Sequence, residues 1–97
     1  MIYTLGETVL DIITHDFDNM RAKPGGSMLN TAISLGRLGL GVNHISYLSV
    51  DQNGRLILDF LAQNHVGANY IYLSDTVHTN LAFAHLDKDN KAHSTFY

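Results

Sequence analysis

One proline occurs in this chain, and it stands directly before two glycines, as Pro24-Gly25-Gly26. Proline fixes a backbone angle and lacks a donor, and glycine adopts angles that other residues avoid, so regular structure has to break there. After the break the period is helical: Met28, Leu29, Ala32, Ile33, Leu35 and Leu38 recur at three- and four-residue spacing. Ser27 stands where an N-cap belongs, and Gly39 and Gly41 stop the predicted helix. Before the break, Ile2 to Ile13 is apolar and β-branched, interrupted by Gly6, and reads as one buried strand with Glu7 and Asp11 near its C-terminal half. Thr14 to Lys23 is polar and reads as a loop or a short edge element.

The rest of the chain extends this pattern. His44 to Val50 reads as a second strand, Asp51 or Asn53 can cap a second helix with the stripe Leu56, Ile57, Phe60 and Leu61, and Gly67 ends it. Tyr70 to Leu73 reads as a third strand. Strand, helix, strand, helix, strand favours an α/β fold with a parallel sheet. The tail changes character: Asn80 to Leu86 and Ala92 to Tyr97 flank the polar Asp87-Lys88-Asp89-Asn90-Lys91, a predicted β-hairpin. By alternation Ala82, Ala84 and Leu86 share one of its faces, and Leu81, Phe83 and His85 the other. Neither face is plainly polar, so both call for cover, and the isolated chain is expected to associate.

Composition narrows the function. Ninety-seven residues, 45% of them hydrophobic and 15% charged, fit one small globular domain. A net charge of -3, with the six Lys and Arg scattered, argues against a nucleic-acid surface. There is no cysteine, which removes disulfides, thiolate metal sites and Cys nucleophiles. No segment has the makings of a membrane span or signal peptide. The six histidines show neither H-x-x-x-H nor H-E-x-x-H spacing, so no metal site is expected; His78 and His93 could approach each other around the hairpin.

Two places could carry chemistry. A glycine pair at a helix mouth lets a ligand approach the backbone, with free N–H groups and the amide of Asn30 within reach; the alternative is an ordinary glycine turn with Asn30 solvated. The segment matches neither G-x-x-x-x-G-K-[ST] nor G-x-G-x-x-G, so it is neither a Walker A loop nor a dinucleotide fingerprint. Asp11, read as lying near the carboxyl end of a strand in an open parallel sheet, stands where ligands usually bind; the alternative is a solvated strand-end carboxylate, and Glu7 has the same two readings with a weaker claim.

In combination these features become specific. Gly6 followed by Asp11 resembles the first strand of the ribokinase, or pfkB, family of carbohydrate kinases. Gly25-Gly26 with Asn30 is similar to that family's sugar-binding glycine pair and asparagine, and Asn30-Thr31-Ala32 through Gly39 to much of its first signature. Ser46 to Gly54 resembles the strand and turn that usually read Gly-Asp-Asp before a Gly. Thr79-Asn80-Leu81-Ala82-Phe83 and Ser94-Thr95-Phe96-Tyr97 resemble the lid strands, in a version closest to fructokinases.

The resemblance implies a ribokinase-like (Rossmann-like) three-layer core with a β-hairpin lid. Residues 1–97 would be an incomplete N-terminal portion of one sugar kinase domain, with lid elements near 14–24 and 79–97. Asp11 would bind sugar hydroxyls, Gly25, Gly26 and Asn30 would hold the sugar's other edge, and Ala82, Ala84 and Phe96 would close over it. The intact kinase would use ATP and Mg²⁺ to phosphorylate a sugar, fructose being preferred from the lid strands. The family's Gly-Ala-Gly-Asp motif, which carries the catalytic Asp, does not occur here, so no catalytic residue is expected in these residues and the chain alone should not turn over. A cytoplasmic location and a homodimer through the lid are implied as well. Met28 departs from the family's usual small residue, which bears on substrate identity, and Ser49 and Val50 replace the usual Gly and first Asp. A non-catalytic sugar-binding or interaction module is the alternative function.

Overall fold

The apolar opening run is two strands, and they belong to different sheets. In the computed structural model, which describes residues 1–97, β1 (Ile2–Leu5) stops before Gly6 and β2 (Val9–Asp16) begins at Val9. Gly6 still donates its N–H to the carbonyl of Ile45 at 3.1 Å, and after it the chain crosses to the second sheet. Both strands are β-branched and largely apolar, so residue type alone does not mark the crossing.

The first sheet is built on β4 (Val42–Ser49) and is parallel throughout. β1 lies along one edge of β4, and β5 (Val66–Gly67) and β6 (Ile71–Ser74) share the other, β5 against Val42–Asn43 and β6 against Ser46–Ser49. Helices α1 (Ser27–Arg37) and α2 (Gln52–Gln63) lay their stripes on this sheet. Leu29, Ala32 and Ile33 of α1 meet Ile57 and Leu61 of α2 around Val42, Leu48 and Val66 in one core cluster. Burying a side chain of this size contributes about 1.5–3 kcal/mol. Leu38 and Leu56, expected in the stripes, are exposed.

The helix ends follow local chemistry, with two corrections. Gly26, at φ 112°, takes the N-cap position of α1, and Ser27 is the first helical residue without a side-chain capping bond. Of the two expected cap residues it is Asp51 that caps α2, accepting from the Gly54 N–H at 2.8 Å. That helix ends at Gln63 rather than at Gly67. His65, with φ 62°, makes the left-handed turn, and Gly67 pairs inside β5. A left-handed histidine is uncommon, so glycine was the nearest available stop signal.

The second sheet has the order β3-β2-β7-β8, with β3 (Asn19–Gly25), β7 (Asn80–Leu86) and β8 (Ala92–Phe96). Two antiparallel hairpins, β2–β3 and β7–β8, are joined by a parallel pairing of β2 with β7. The stretch expected to be loop or edge, 14–23, is therefore the turn and most of a hairpin. Its turn is locked by Asp16 Oδ1, which accepts from the Asp18 N–H at 2.9 Å and the Asn19 side-chain N–H at 2.8 Å.

Candidate functional site

Register in the second sheet decides what stands beside Asp11. Asp11 is paired with Lys23 on β3 and Ala82 on β7, and Ala82 with Phe96 on β8. Paired residues point to the same face, so Lys23, Asp11, Ala82 and Phe96 form one row. The next row on that face is Arg21, Ile13, Ala84 and Ser94, and the row on the other side is Gly25, Val9 and Asn80. Asp11 thus lies on β2 of the second sheet and not, as expected, at the carboxyl end of a strand in the parallel sheet. Ala82 is buried, Ala84 half-buried, and Phe96 is 74% exposed at the far end of its row.

The glycines bring this face to the mouth of α1. A Cβ on Gly25 would collide with Oδ2 of Asp11, so the carboxylate leans over the backbone where the sheet runs into the helix. A Cβ on Gly26 would collide with the carbonyl oxygen of Glu7, which seats the β1–β2 joint against the same helix mouth. Asn30, one turn into α1, donates its backbone N–H to Gly26 at 2.9 Å, and its side chain is exposed. Asp11 and Gly25 are therefore in direct contact, and Gly26 and Asn30 follow at the start of the same helix.

The electrostatics suit a hydroxyl ligand. Burial pushes the Asp11 carboxyl above its ordinary value, against the opposing pull of Lys23. It makes no hydrogen bond within the chain, so its lone pairs remain open to a donor. No group of three or more His, Cys, Asp or Glu side chains is placed to hold a metal ion. His93 meets Asp87 at 3.2 Å and stands opposite His85 rather than His78. That exposed pair contributes little.

Two contacts beyond the expected site connect the two sheets. Asp51 accepts from the Thr79 hydroxyl at 2.8 Å as well as from Gly54, so one carboxylate caps α2 and holds the start of β7. Asn80 donates to Glu7 at 3.0 Å and to the Tyr47 hydroxyl at 3.4 Å. Lys23, inside the second sheet, is a further residue the sequence reading missed, and recognising Asp16 to Asn19 as an Asx-type turn would have placed it opposite Asp11. Two open hollows of about 470 Å³ flank this junction. Leu5, Gly6, Glu7, Ile45, Ser46 and Tyr47 line one, and the other runs from Tyr47 along 77–81 to Tyr97; of the candidate residues, only the weaker one, Glu7, lines either.

Comparison with known proteins bears on this arrangement. The family model described as pfkB family carbohydrate kinase matches residues 1–97. The fructokinase of Salmonella typhimurium is 28% identical over 95 residues, and that of Klebsiella pneumoniae 30% identical over 95 residues; each alignment covers 98% of this chain and 31% of the relative. The chain thus spans just under a third of the length of these curated relatives. Among solved structures, a Xylella fastidiosa fructokinase with bound ATP matches with a TM-score of 0.89 at 29% identity, covering 99% of this chain and 30% of that one. An uncharacterized sugar kinase from Pyrococcus horikoshii matches with a TM-score of 0.88 at 26% identity, covering 100% of this chain and 35% of that one. No helix is long and apolar enough to cross a membrane.

Proposed function

Because the chain belongs to the pfkB family of carbohydrate kinases, we propose that it forms the sugar-binding part of an ATP-dependent, fructokinase-like sugar kinase. The observation that carries this reading is the half-buried, unbonded carboxylate of Asp11, lying against Gly25 at the mouth of α1. A sugar presents several O–H donors on one edge, and a carboxylate can accept two of them. The free N–H groups at the start of α1 and the amide of Asn30 supply donors and an acceptor for the sugar's other edge. Ala82 and Ala84 share the Asp11 face with small side chains that leave room over the carboxylate. The second sheet acts as the lid, and Phe96 at its margin closes over the ligand.

Residues 1–97 include no Walker spacing and no Gly-Ala-Gly-Asp segment. In this proposal they carry no nucleotide site, Mg²⁺ site or catalytic base. What these residues do is bind and orient the sugar. Orientation is a large part of catalysis when a hydroxyl must meet a phosphoryl group in line. Exposed Phe96 and Tyr97 favour a second copy as the lid's partner, and a cytoplasmic protein is in keeping with this function.

Calorimetric titration tests the proposal. Fructose is expected to bind the chain, and Asp11→Ala or Asn30→Ala to lose about 1–3 kcal/mol of binding. ATP binding with no response to fructose or other sugars would overturn it. Sedimentation should show association at tens of micromolar, an order-of-magnitude concentration range; a clean monomer removes the dimer from the proposal.

A further inference from the structure

His44 is fully buried, on the face of β4 that also carries Val42 and Leu48 and that α1 and α2 cover. Its Nδ1 lies 2.8 Å from Thr4 Oγ1 and its Nε2 lies 3.1 Å from Thr8 Oγ1. Thr8 Oγ1 in turn lies 2.9 Å from Ser46 Oγ. Thr4 belongs to β1, whereas Thr8 belongs to the joint through which the chain leaves one sheet for the other. One ring therefore ties β1 of the core sheet to Thr8, the last residue of the joint before β2. The joint is also held from its other side. The Glu7 carbonyl fills the space where Gly26 would carry a side chain, and Thr8 Cα lies 3.7 Å from the same point.

We propose that His44 is a positioning residue whose imidazole braces the Gly6–Thr8 joint against the mouth of α1 and so aims β2, with Asp11, at Gly25. The ring suits this task because a neutral imidazole donates from one nitrogen and accepts at the other. It can therefore satisfy two hydroxyls on opposite sides while filling core volume, which no aliphatic side chain does. Burial pulls its pKa down, against a hydrogen bond to the Thr4 backbone that raises it. The helix and strand side chains of the surrounding core are apolar, and Glu7, the carboxylate of the joint, is engaged with Asn80 at the surface. No charge faces the ring. Its hydrogen-bonding neighbours are the Thr4 backbone and the hydroxyls of Thr4 and Thr8, and Ser46, bonded to Thr8, opens onto the hollow beside Glu7.

The effect on sugar affinity rests on the sugar-binding reading above; the bracing does not, and the two can be separated. Ring ¹⁵N spectra of the chain, taken from about pH 7.5 down to about 5.5, should show His44 holding one neutral tautomer throughout. A His44 that takes up a proton in that range overturns the proposal. Thr8→Val keeps the shape and removes the tie to the joint. It should speed amide exchange at Val9 to Asp11 by roughly tenfold while Thr31 to Ile33 in α1 stay protected. Thr4→Val cuts a bond within the core sheet only and should leave Val9 to Asp11 as in the parent chain. Equal effects of the two variants, or no effect of Thr8→Val, reduce His44 to core filling and overturn the proposal. If the parent chain binds fructose, Thr8→Val should weaken it by roughly tenfold through misplacement of Asp11; unchanged affinity overturns the aiming role. If the parent chain binds no sugar, the sugar reading falls, and the ring spectra and exchange rates still decide whether His44 is the brace.

Discussion

The two sheets of this protein are stabilised in different ways. The parallel sheet is covered by two helices, and its core cluster includes Leu29, Ile57 and Leu61, none of them exposed. The second sheet has no helix of its own, and every residue of β8 is exposed. It is held by its backbone ladder, by the Asp51–Thr79 and Glu7–Asn80 hydrogen bonds, and by the two joints at Gly6–Thr8 and Gly25–Gly26. The first region is therefore a core that specifies itself. The second is a platform attached at a few points, which is the arrangement expected of a part that meets a ligand or a partner.

The largest effect that could break this contrast is a cavity. Leu29→Ala should cost about 2–5 kcal/mol of unfolding free energy, whereas Phe96→Ala should cost less than about 0.5 kcal/mol. Similar shifts in the urea midpoint would show that the sheets are equally packed. The attachment is tested next. Asp51→Ala removes a helix cap and a tie to β7, and should cost about 1–2 kcal/mol. Amide exchange in β7 should rise more than in β4; a uniform rise would make Asp51 a cap alone. A smaller effect separates function from stability. Asp11 carries an ionised carboxyl that burial disfavours, so Asp11→Asn should leave the melting temperature unchanged or raised at pH 7 while weakening sugar binding. A clear loss of stability would mean the carboxylate is structural.

The smallest effect is pH dependence, and its sign differs between the two regions. Burial raises the Asp51 carboxyl, but hydrogen bonds from Gly54 and Thr79 outweigh it and hold the group below its ordinary value. Its stabilisation is present above the unfolded value and is lost as pH falls through the depressed folded value. Asp11 is shifted upward by burial, against Lys23. The cost of ionising it is relieved as pH falls through its raised value, before Asp51 begins to protonate. Urea midpoints of Asp11→Asn and Asp51→Asn against the parent, followed through the acid range, should show these opposite slopes. Parallel slopes would contradict the assignment.

The same contrast separates what was legible in the sequence from what was not. The helical stripes, the Asp51 cap, the order of parallel elements and the tail hairpin followed from local periodicity and turn residues. The division of Ile2 to Ile13 did not, because both strands have the same residue types and differ only in their distant partners, β4 for one and β7 for the other. The hairpin at Asp16 to Asn19 had a signal in its turn chemistry that its polar flanks obscured. Gly25-Gly26, Asn30 and Asp11 could be singled out as candidates, but the contact among them depends on register: Asp11 reaches Gly25 because Val9 pairs with it. His44 as a brace had no local sign, since its partners Thr4 and Thr8 are ordinary residues brought to it by topology.

The parallel seam between β2 and β7 has a consequence for how the molecule is made. Val9 must wait for Asn80, so most of the chain has to emerge before the middle of that sheet can zip together. Loops this long close late and slowly. Until then the β2–β3 hairpin carries an open edge, which is the period when stray strands can add to it. Pulse-labelled exchange during refolding should find the β2–β7 amides protected last, and protection there before the helices would refute this order of assembly.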